Sequence, residues 1–243
     1  MSQTDHFDAV AARYDELRAP VEVTELHELL VREGDLAGRR VLDIGCGTGR
    51  DAAVMAGEFG CEVAGVDAAA GMLEQARQKL PLADLRQGVA EELPFPDSSF
   101  DAALMFFVAH HVDRPRAFAE ACRVLVPGGR LLIVTSNPEA LPRFWMARLF
   151  PSYVAVERAR FPSFDAVDRQ LRAAGFGDVR RVDHVFERRF SRSEALAKLR
   201  GRYASTFDLL GEEEYEAGVA RAERELPETV EYLLELIVVV ATK

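Results

Sequence analysis

Cysteine is scarce, and the three present, Cys46, Cys61 and Cys122, keep no metal-ligand spacing and make no even-numbered set. That argues against a zinc framework and against the disulfide scaffold of a small secreted domain. Long apolar runs are missing too. A bilayer span takes ~20 consecutive apolar residues, and LIVVVA near the C-terminus is far shorter. Positive charge is in deficit: 30 Lys and Arg against 40 Asp and Glu leave a net charge of −10. Such a balance disfavours extended contact with a nucleic-acid backbone. The basic pairs Arg180-Arg181 and Arg188-Arg189 have acids between them and are expected to be solvated strand ends. The opening MSQTDHFDAVAARYDELR has no apolar signal core, and neither an internal repeat nor a low-complexity linker stands out. The expectation is a cytoplasmic protein with reduced thiols, no membrane span and no nucleic-acid partner.

What is present is a chain of 243 residues, 49% hydrophobic and 29% charged, enough for one α/β domain with a substantial core. Short apolar runs alternate with amphipathic stretches, the pattern of βαβ units. Strands are expected over 40–45, 61–67, 83–89, 99–107, 130–136, 178–190 and 232–242. Helices are expected over 6–18, 21–33, 50–60, 70–80, 115–125 and 164–174, with Gly60 and Gly175 as natural stops. Residues 137–162 break the alternation and hold Phe144, Trp145, Phe150 and Tyr153. A second insert, 191–230, carries two expected helices. The inserts read either as an extra packing layer or as a cap whose aromatics wall an apolar pocket, with Arg143 or Arg148 meeting an acceptor's carboxylate.

The segment VLDIGCGTGR, residues 41–50, runs a buried strand into Asp43 and then Gly45, Gly47 and Gly49. Three glycines in five residues imply a sharp turn or a close approach to a ligand. In an open parallel sheet this loop lies at the carboxyl ends of the strands, where ligands bind. The spacing departs from a dinucleotide fingerprint, with Arg50 beyond the last glycine, and no Gly-Lys-Ser/Thr follows for a nucleotide phosphate loop. Asp67, ending the second strand, suits a ribose, and Asp43 suits an ammonium or sulfonium rather than a pyrophosphate. A ribose, a positive charge and no phosphate describe S-adenosylmethionine.

Four motifs in order then resemble the class I S-adenosylmethionine-dependent methyltransferases, in particular the ubiquinone/menaquinone-biosynthesis-like (methyltransferase type 11) group. They are VLDIGCGTGR, VAGVDAAAGML, AEELPFPDSSFD and HHVDRPRAFAEACRVLVPGGRLLI, and the likeness covers roughly residues 7–136. It implies a single α/β domain over 1–243. Its core would be a Rossmann-like, seven-stranded, mostly parallel sheet in the order 3-2-1-4-5-7-6, the last strand antiparallel. Helices flank that sheet; residues 1–35 lie over the cofactor, and 137–162 with 191–230 are cap insertions. The resemblance puts the methionine end of the cofactor against Asp43, Gly45, Cys46 and Gly47, and the ribose on Asp67. Ala68, Met72, Ala90 and Glu91 fall near the adenine, Met105 and Phe106 at the end of the fourth strand, and Tyr14 over the cofactor. One position departs from the family: Val89 stands where an acid often accepts from the adenine amino group.

Methyl transfer needs alignment and water exclusion more than proton chemistry. A base helps only when the acceptor must lose a proton, and His110 and His111 are the candidates near the cleft; the plain alternative for both is a structural or cofactor-shell role. Cys46 reads as a small loop filler, and His6, His27 and His184 as surface or packing histidines. The expected partner is a small-molecule methyl acceptor, and no metal is implied. Two other functions stand beside this one: a non-catalytic S-adenosylmethionine-binding protein on the same scaffold, and a nicotinamide-dependent oxidoreductase, which the loop spacing opposes.

Overall fold

The computed structural model describes residues 7–9, 11–18 and 23–243. The apolar runs form β1 (Arg40–Ile44), β2 (Glu62–Asp67), β3 (Asp84–Gln87), β4 (Phe100–Phe106), β5 (Leu125–Ser136), β6 (Asp178–Ser191) and β7 (Thr229–Thr242). They make one sheet in the order β3-β2-β1-β4-β5-β7-β6. β1 to β5 pair in parallel, and β7 runs antiparallel between β5 and β6. The expected strand order and the antiparallel strand are both present. The order reverses between β1 and β4, so the crevice beyond their carboxyl ends is where a ligand finds room.

The helices are α1 (Tyr14–Arg18), α2 (Val23–Gly34), α3 (Arg50–Phe59), α4 (Ala70–Lys79), α5 (Arg114–Val124), α6 (Tyr153–Arg160), α7 (Phe164–Ala173), α8 (Arg192–Arg200) and α9 (Glu212–Glu225). Successive strand residues point to opposite faces, and the sheet is apolar on both. Leu42, Ile44, Ala103 and Ile133 meet α5 and α7 on one side. Val41, Leu104, Leu132 and Val238 meet α2 and α3 on the other. No helix among the described residues is long and apolar enough to cross a membrane.

Most expected boundaries hold within a residue or two. α3 stops at Gly60, whose φ of 66° is the left-handed helix cap the sequence suggested. β5 begins five residues earlier than expected, because the register slips between Phe100 and Ala102 on β4 and so accommodates Pro127-Gly128-Gly129. The first expected helix, 6–18, is not one regular helix: residues 7–9 are helical, and a 3-10 turn over Ala11–Arg13 leads into α1, while His6 and Val10 lie outside the described residues.

β6 and β7 pair over 14 residues each, but β5 covers only Leu236–Thr242 of β7. Their far ends form a two-stranded ribbon that extends past the carboxyl end of β5. The two inserts pack there on one another. Leu141, Trp145, Leu149 and Phe150 from the first share a third apolar core with Leu199, Phe207, Tyr215 and Ala222 from the second. Polar bonds tie the same junction: Ser152 N donates to Glu214 Oε1 at 2.7 Å, and Arg221 Nη1 donates to the Leu149 carbonyl at 2.6 Å.

Gly218, in the middle of α9, is the tightest point of that layer, since a Cβ there would drive into the Phe150 ring. Alanine gains ~1 kcal/mol of helix propensity over glycine, whereas overpacking a filled core costs about 1–3 kcal/mol. Phe150 is fully buried and has nowhere to move, so the clash prevails. Gly218→Ala is expected to lower stability by about 1–2 kcal/mol in urea unfolding; a stabilised variant would contradict this packing.

Candidate active site

The chain leaves β1 at Ile44 and turns at once, with Gly45 N and Cys46 N both donating to the Val66 carbonyl at 2.7 and 3.0 Å. The turn delivers Gly47 N to Asp67 Oδ2 at 2.8 Å, while Ala69 N donates to Asp67 Oδ1 at 2.9 Å. Two backbone donors therefore orient this carboxylate, and each oxygen keeps acceptor capacity. Burial pushes its carboxyl up, and those same backbone bonds oppose the shift. The glycines divide their work. Gly47, at φ 53°, has nothing within 4 Å of where a Cβ would stand, so its backbone opens on the cavity. Gly49 has another reason: a Cβ there would stand 2.9 Å from Ala76 Cβ, so it lets α3 and α4 approach.

Asp43 is 2% exposed, and its Oδ1 has no hydrogen-bond partner among the described residues. Burial pushes its carboxyl well up, and the negative charges of Asp51 and Asp67 push it further. A buried carboxylate without a donor is costly. The remedy is a ligand that brings a cation and N–H donors, which an amino-acid ammonium does. The residues present thus fit the methionine end of S-adenosylmethionine. Cys46, beside them, is buried with its thiol pushed up chiefly by that burial, so it supplies no thiolate.

The N-terminal segment is fastened to this loop. Thr48 Oγ1 donates to Asp15 Oδ1 at 2.6 Å, Lys79 pairs with Asp15 at 2.9 Å, and Gly71 N donates to Asp8 Oδ1 at 2.8 Å. Tyr14 consequently faces the cavity, as do Ala68 and Met72 from the β2–α4 turn. Ala90 and Glu91 face it as well, following Gly88, whose N donates to the Asp67 carbonyl at 3.0 Å. Glu91 also holds the start of α5, where its Oε1 accepts from Asp113 N at 2.7 Å. Val89, which replaces the family's frequent acid, is 47% exposed and lies on the same wall.

Met105 is the exception among the expected cofactor residues. It is fully buried in the sheet core and does not line the cavity, because strand alternation turns Phe106 into the cavity instead. Phe107 follows at φ 55°, a left-handed conformation that costs a bulky residue about 1–3 kcal/mol. That turn carries the chain to His110 and His111, which both line the cavity with ring centroids 3.9 Å apart. His110 lies 4.2 Å from the ring of Phe161, and His111 meets Phe7 edge-on at 5.6 Å. His27 packs in the core instead, 3.4 Å from Asp51.

One cavity of ≈ 530 Å³ runs from the glycine loop to the insert layer. Phe144, Trp145 and Tyr153 line it, as the cap reading anticipated; Phe150 does not, being packed against Phe207 and Tyr215. Arg143 turns outward to Glu235 at 2.7 Å, and Arg148 is not on the cavity wall. The charged groups that do line this end are Glu157, Arg160, Arg188 and Lys198, which sequence reasoning missed. Arg188 is no solvated strand end: it alternates with Phe186 and Phe190 on the inner face of β6. A period of two on β6, and the Tyr153, Glu157, Arg160 stripe on α6, were the signals available. Among the described residues no group of three or more His, Cys, Asp or Glu is placed to hold a metal ion.

A family profile described as a methyltransferase domain matches residues 42–133. Over 197 residues the chain is 36% identical to a demethylmenaquinone methyltransferase of Renibacterium salmoninarum, covering 71% of this chain and 83% of that protein. Among solved structures, the YcgJ protein of Bacillus subtilis matches at TM-score 0.61 and 24% identity, over 90% of this chain and 98% of that one. A geranyl diphosphate C-methyltransferase from Streptomyces coelicolor A3(2) matches at TM-score 0.54 and 20% identity, over 90% of this chain and 78% of its own. At such identities these two structures share the fold, no more.

Asp43 yields a prediction in which stability and binding part company. Its folded carboxyl titrates above the ordinary aspartate value of about 4, so the native state takes up its proton more readily than the unfolded chain. The resulting cost is absent below that ordinary value and grows as pH rises toward the raised one. Asp43→Asn is expected to melt higher than the wild type at neutral pH, with the difference closing toward pH ~4, and to bind S-adenosylmethionine about tenfold or more weakly. A variant that melts lower across the whole pH range would contradict the unpartnered-carboxylate account.

Proposed function

Given that the chain belongs to the class I S-adenosylmethionine-dependent methyltransferases, we propose that it methylates a small molecule held at the insert end of the cavity. When bound, S-adenosylmethionine supplies a methyl group on a sulfonium, already activated for in-line displacement. In this reading Asp43 holds the ammonium, Asp67 the ribose hydroxyls, and Ala68, Met72, Ala90 and Glu91 the adenine. The backbone at Gly45, Cys46 and Gly47 lets the methionine end lie close. Tyr14 and Phe106 offer aromatic faces near the positive charge, a favourable arrangement. Residues 137–162 and 191–230 are the acceptor cap, the described part of residues 1–35 lies over the cofactor, and the chain acts as one domain in the cytoplasm.

The observation that carries this reading is the continuity of the cavity. The acidic glycine-loop end and the aromatic insert end are one space, and His110 with His111 stand between them. Closure over both ligands supplies alignment and keeps water out, the two things methyl transfer needs most. For an acceptor bearing an O–H or N–H, His110 or His111 takes the proton; for a carbon acceptor they orient it.

The test is formation of S-adenosylhomocysteine by the purified protein from S-adenosylmethionine and a panel of small apolar and carboxylated acceptors. Turnover with at least one acceptor is expected. Asp67→Ala is expected to weaken cofactor binding about tenfold or more, since it removes a carboxylate from two hydroxyl donors. Tight cofactor binding with no turnover across the panel would favour a non-catalytic binding protein. Unchanged binding by Asp67→Ala would remove the ribose assignment, and binding of NADH in place of both sulfur nucleosides would overturn the whole reading.

A further inference from the structure

The face that α6 turns to the cavity carries two polar groups with hydrogen-bonding capacity to spare. Tyr153 and Glu157 stand four residues apart, so they lie one above the other on the helix, and both line the cavity. Tyr153 is 4% exposed and Glu157 5%. Glu157 uses its two oxygens differently. Oε1 accepts from Arg160 Nη1 at 3.0 Å and from Thr206 Oγ1 at 2.7 Å, and Arg160 Nη2 donates on to Ser205 Oγ at 2.8 Å. Those bonds fasten α6 to the second insert and fix the carboxylate. Oε2 takes no hydrogen bond among the described residues.

The Tyr153 hydroxyl likewise makes no hydrogen bond among the described residues. Its ring is stacked on Phe144 at 5.9 Å, and Phe144 meets Tyr232 edge-on at 5.2 Å. Burial pushes the hydroxyl well up, and the charge of Glu157 pushes it further, so the phenol stays a donor at neutral pH. The carboxylate is therefore close enough to act on the hydroxyl, yet no bond joins them. A buried donor and a buried acceptor left in this state are unfavourable unless something between them satisfies both. A hydroxyl does so from a single atom, accepting with a lone pair and donating its proton. Water fills that place in the free protein, and a ligand hydroxyl that displaces it reproduces the same bonds. A ketone oxygen would meet the tyrosine alone, and a carboxylate or phosphate would face Glu157 with like charge.

The surroundings suit an apolar body, with Phe144, Trp145 and Tyr232 in the wall. Phe161 follows Glu157 by one turn, its N donating to the Glu157 carbonyl at 2.8 Å, and its ring lies 4.2 Å from His110. The two polar groups thus lie on the insert side of the histidines. We propose that Tyr153 and Glu157 determine acceptor specificity: the acceptor carries a hydroxyl, held between Tyr153 Oη and Glu157 Oε2, on an apolar body along Phe144, Trp145 and Tyr232. The inference deepens the methyltransferase reading and rests on its assignment of the insert end to the acceptor. The held hydroxyl is a handle that sets which other atom of the acceptor meets the methyl group.

The experiment is calorimetric titration of 4-butylphenol, 4-butylanisole and 4-butyltoluene into the full chain, with and without saturating S-adenosylhomocysteine. The three share one body; the phenol donates and accepts, the anisole only accepts, and the toluene does neither. Because they differ in their own hydration, the readout is the change in affinity ratio between wild type and variant. Tyr153→Phe removes the donor. Glu157→Gln keeps an oxygen for Arg160 and Thr206 and replaces the free acceptor. Tyr153→Phe is expected to lower the phenol-to-toluene and anisole-to-toluene ratios about fivefold. Glu157→Gln is expected to lower the phenol-to-toluene ratio about tenfold and not to lower the anisole-to-toluene ratio. Homocysteine-ligand binding unchanged in both variants shows that they fold. Absence of phenol binding, a phenol-to-toluene ratio that either variant leaves unchanged, or an anisole ratio that falls with the phenol ratio in Glu157→Gln would each overturn the proposal. The expected pattern in a chain that does not bind S-adenosylhomocysteine would instead remove the methyltransferase reading and leave the hydroxyl site standing.

Discussion

A carboxylate sits near the carboxyl end of β1, beside the point where the strand order reverses, with one oxygen lacking any donor among the described residues, and the rest of the site is arranged around it. Asp43 is held there by β1, which pairs with β2 on one side and β4 on the other, and it is almost wholly buried. Its neighbours worsen its position, because Asp51 and Asp67 add charge of the same sign. Evolution of a stable fold alone would have no use for such a cluster, whereas a cationic ligand turns the same charges into affinity. The glycine turn, the fastened N-terminal segment and the strained backbone at Phe107 all bring chain to the rim of that one spot.

How much of this was legible in the sequence follows from how far apart the cooperating residues lie. The cofactor end is built from short, contiguous pieces, each with a local physical demand: glycine where backbone faces the cavity, aspartate at a strand end, and a turn between them. Those demands leave marks within a few residues of one another, and nearly all the expected residues face the cavity. Met105 failed for a specific reason. A one-residue difference along a strand exchanges core for cavity, and an apolar run buried on both faces hides which is which.

The insert end of the cavity was not legible in the same way. Its walls come from Phe144 to Tyr232, brought together by the long antiparallel pairing of β6 with β7 and by contacts between two inserts. Arg188 reads as a solvated strand end in sequence because acidic residues intervene between the basic pairs; only the ribbon's extension past β5 gives its face a cavity. Arg143 and Arg148 lie close in sequence to the aromatics, but short range does not decide which side of a turn faces inward. The division is general to such scaffolds, in which one sheet serves many reactions and the parts grafted onto it decide which.

The account stands or falls on the pairing of Asp43 with a ligand cation, and one comparison isolates it. S-adenosylhomocysteine and 5′-methylthioadenosine share the adenosine and the sulfur, but only the first has the amino-acid ammonium. Calorimetric titration of both into the wild type and into Asp43→Asn measures how much of the affinity contributed by the amino-acid tail, its ammonium, carboxylate and methylenes together, depends on that one carboxylate. The account predicts that the homocysteine ligand binds about tenfold or more tighter in the wild type, and that the gap largely closes in the variant. Equal affinities in the wild type, or a gap that persists undiminished without the carboxylate, would contradict it.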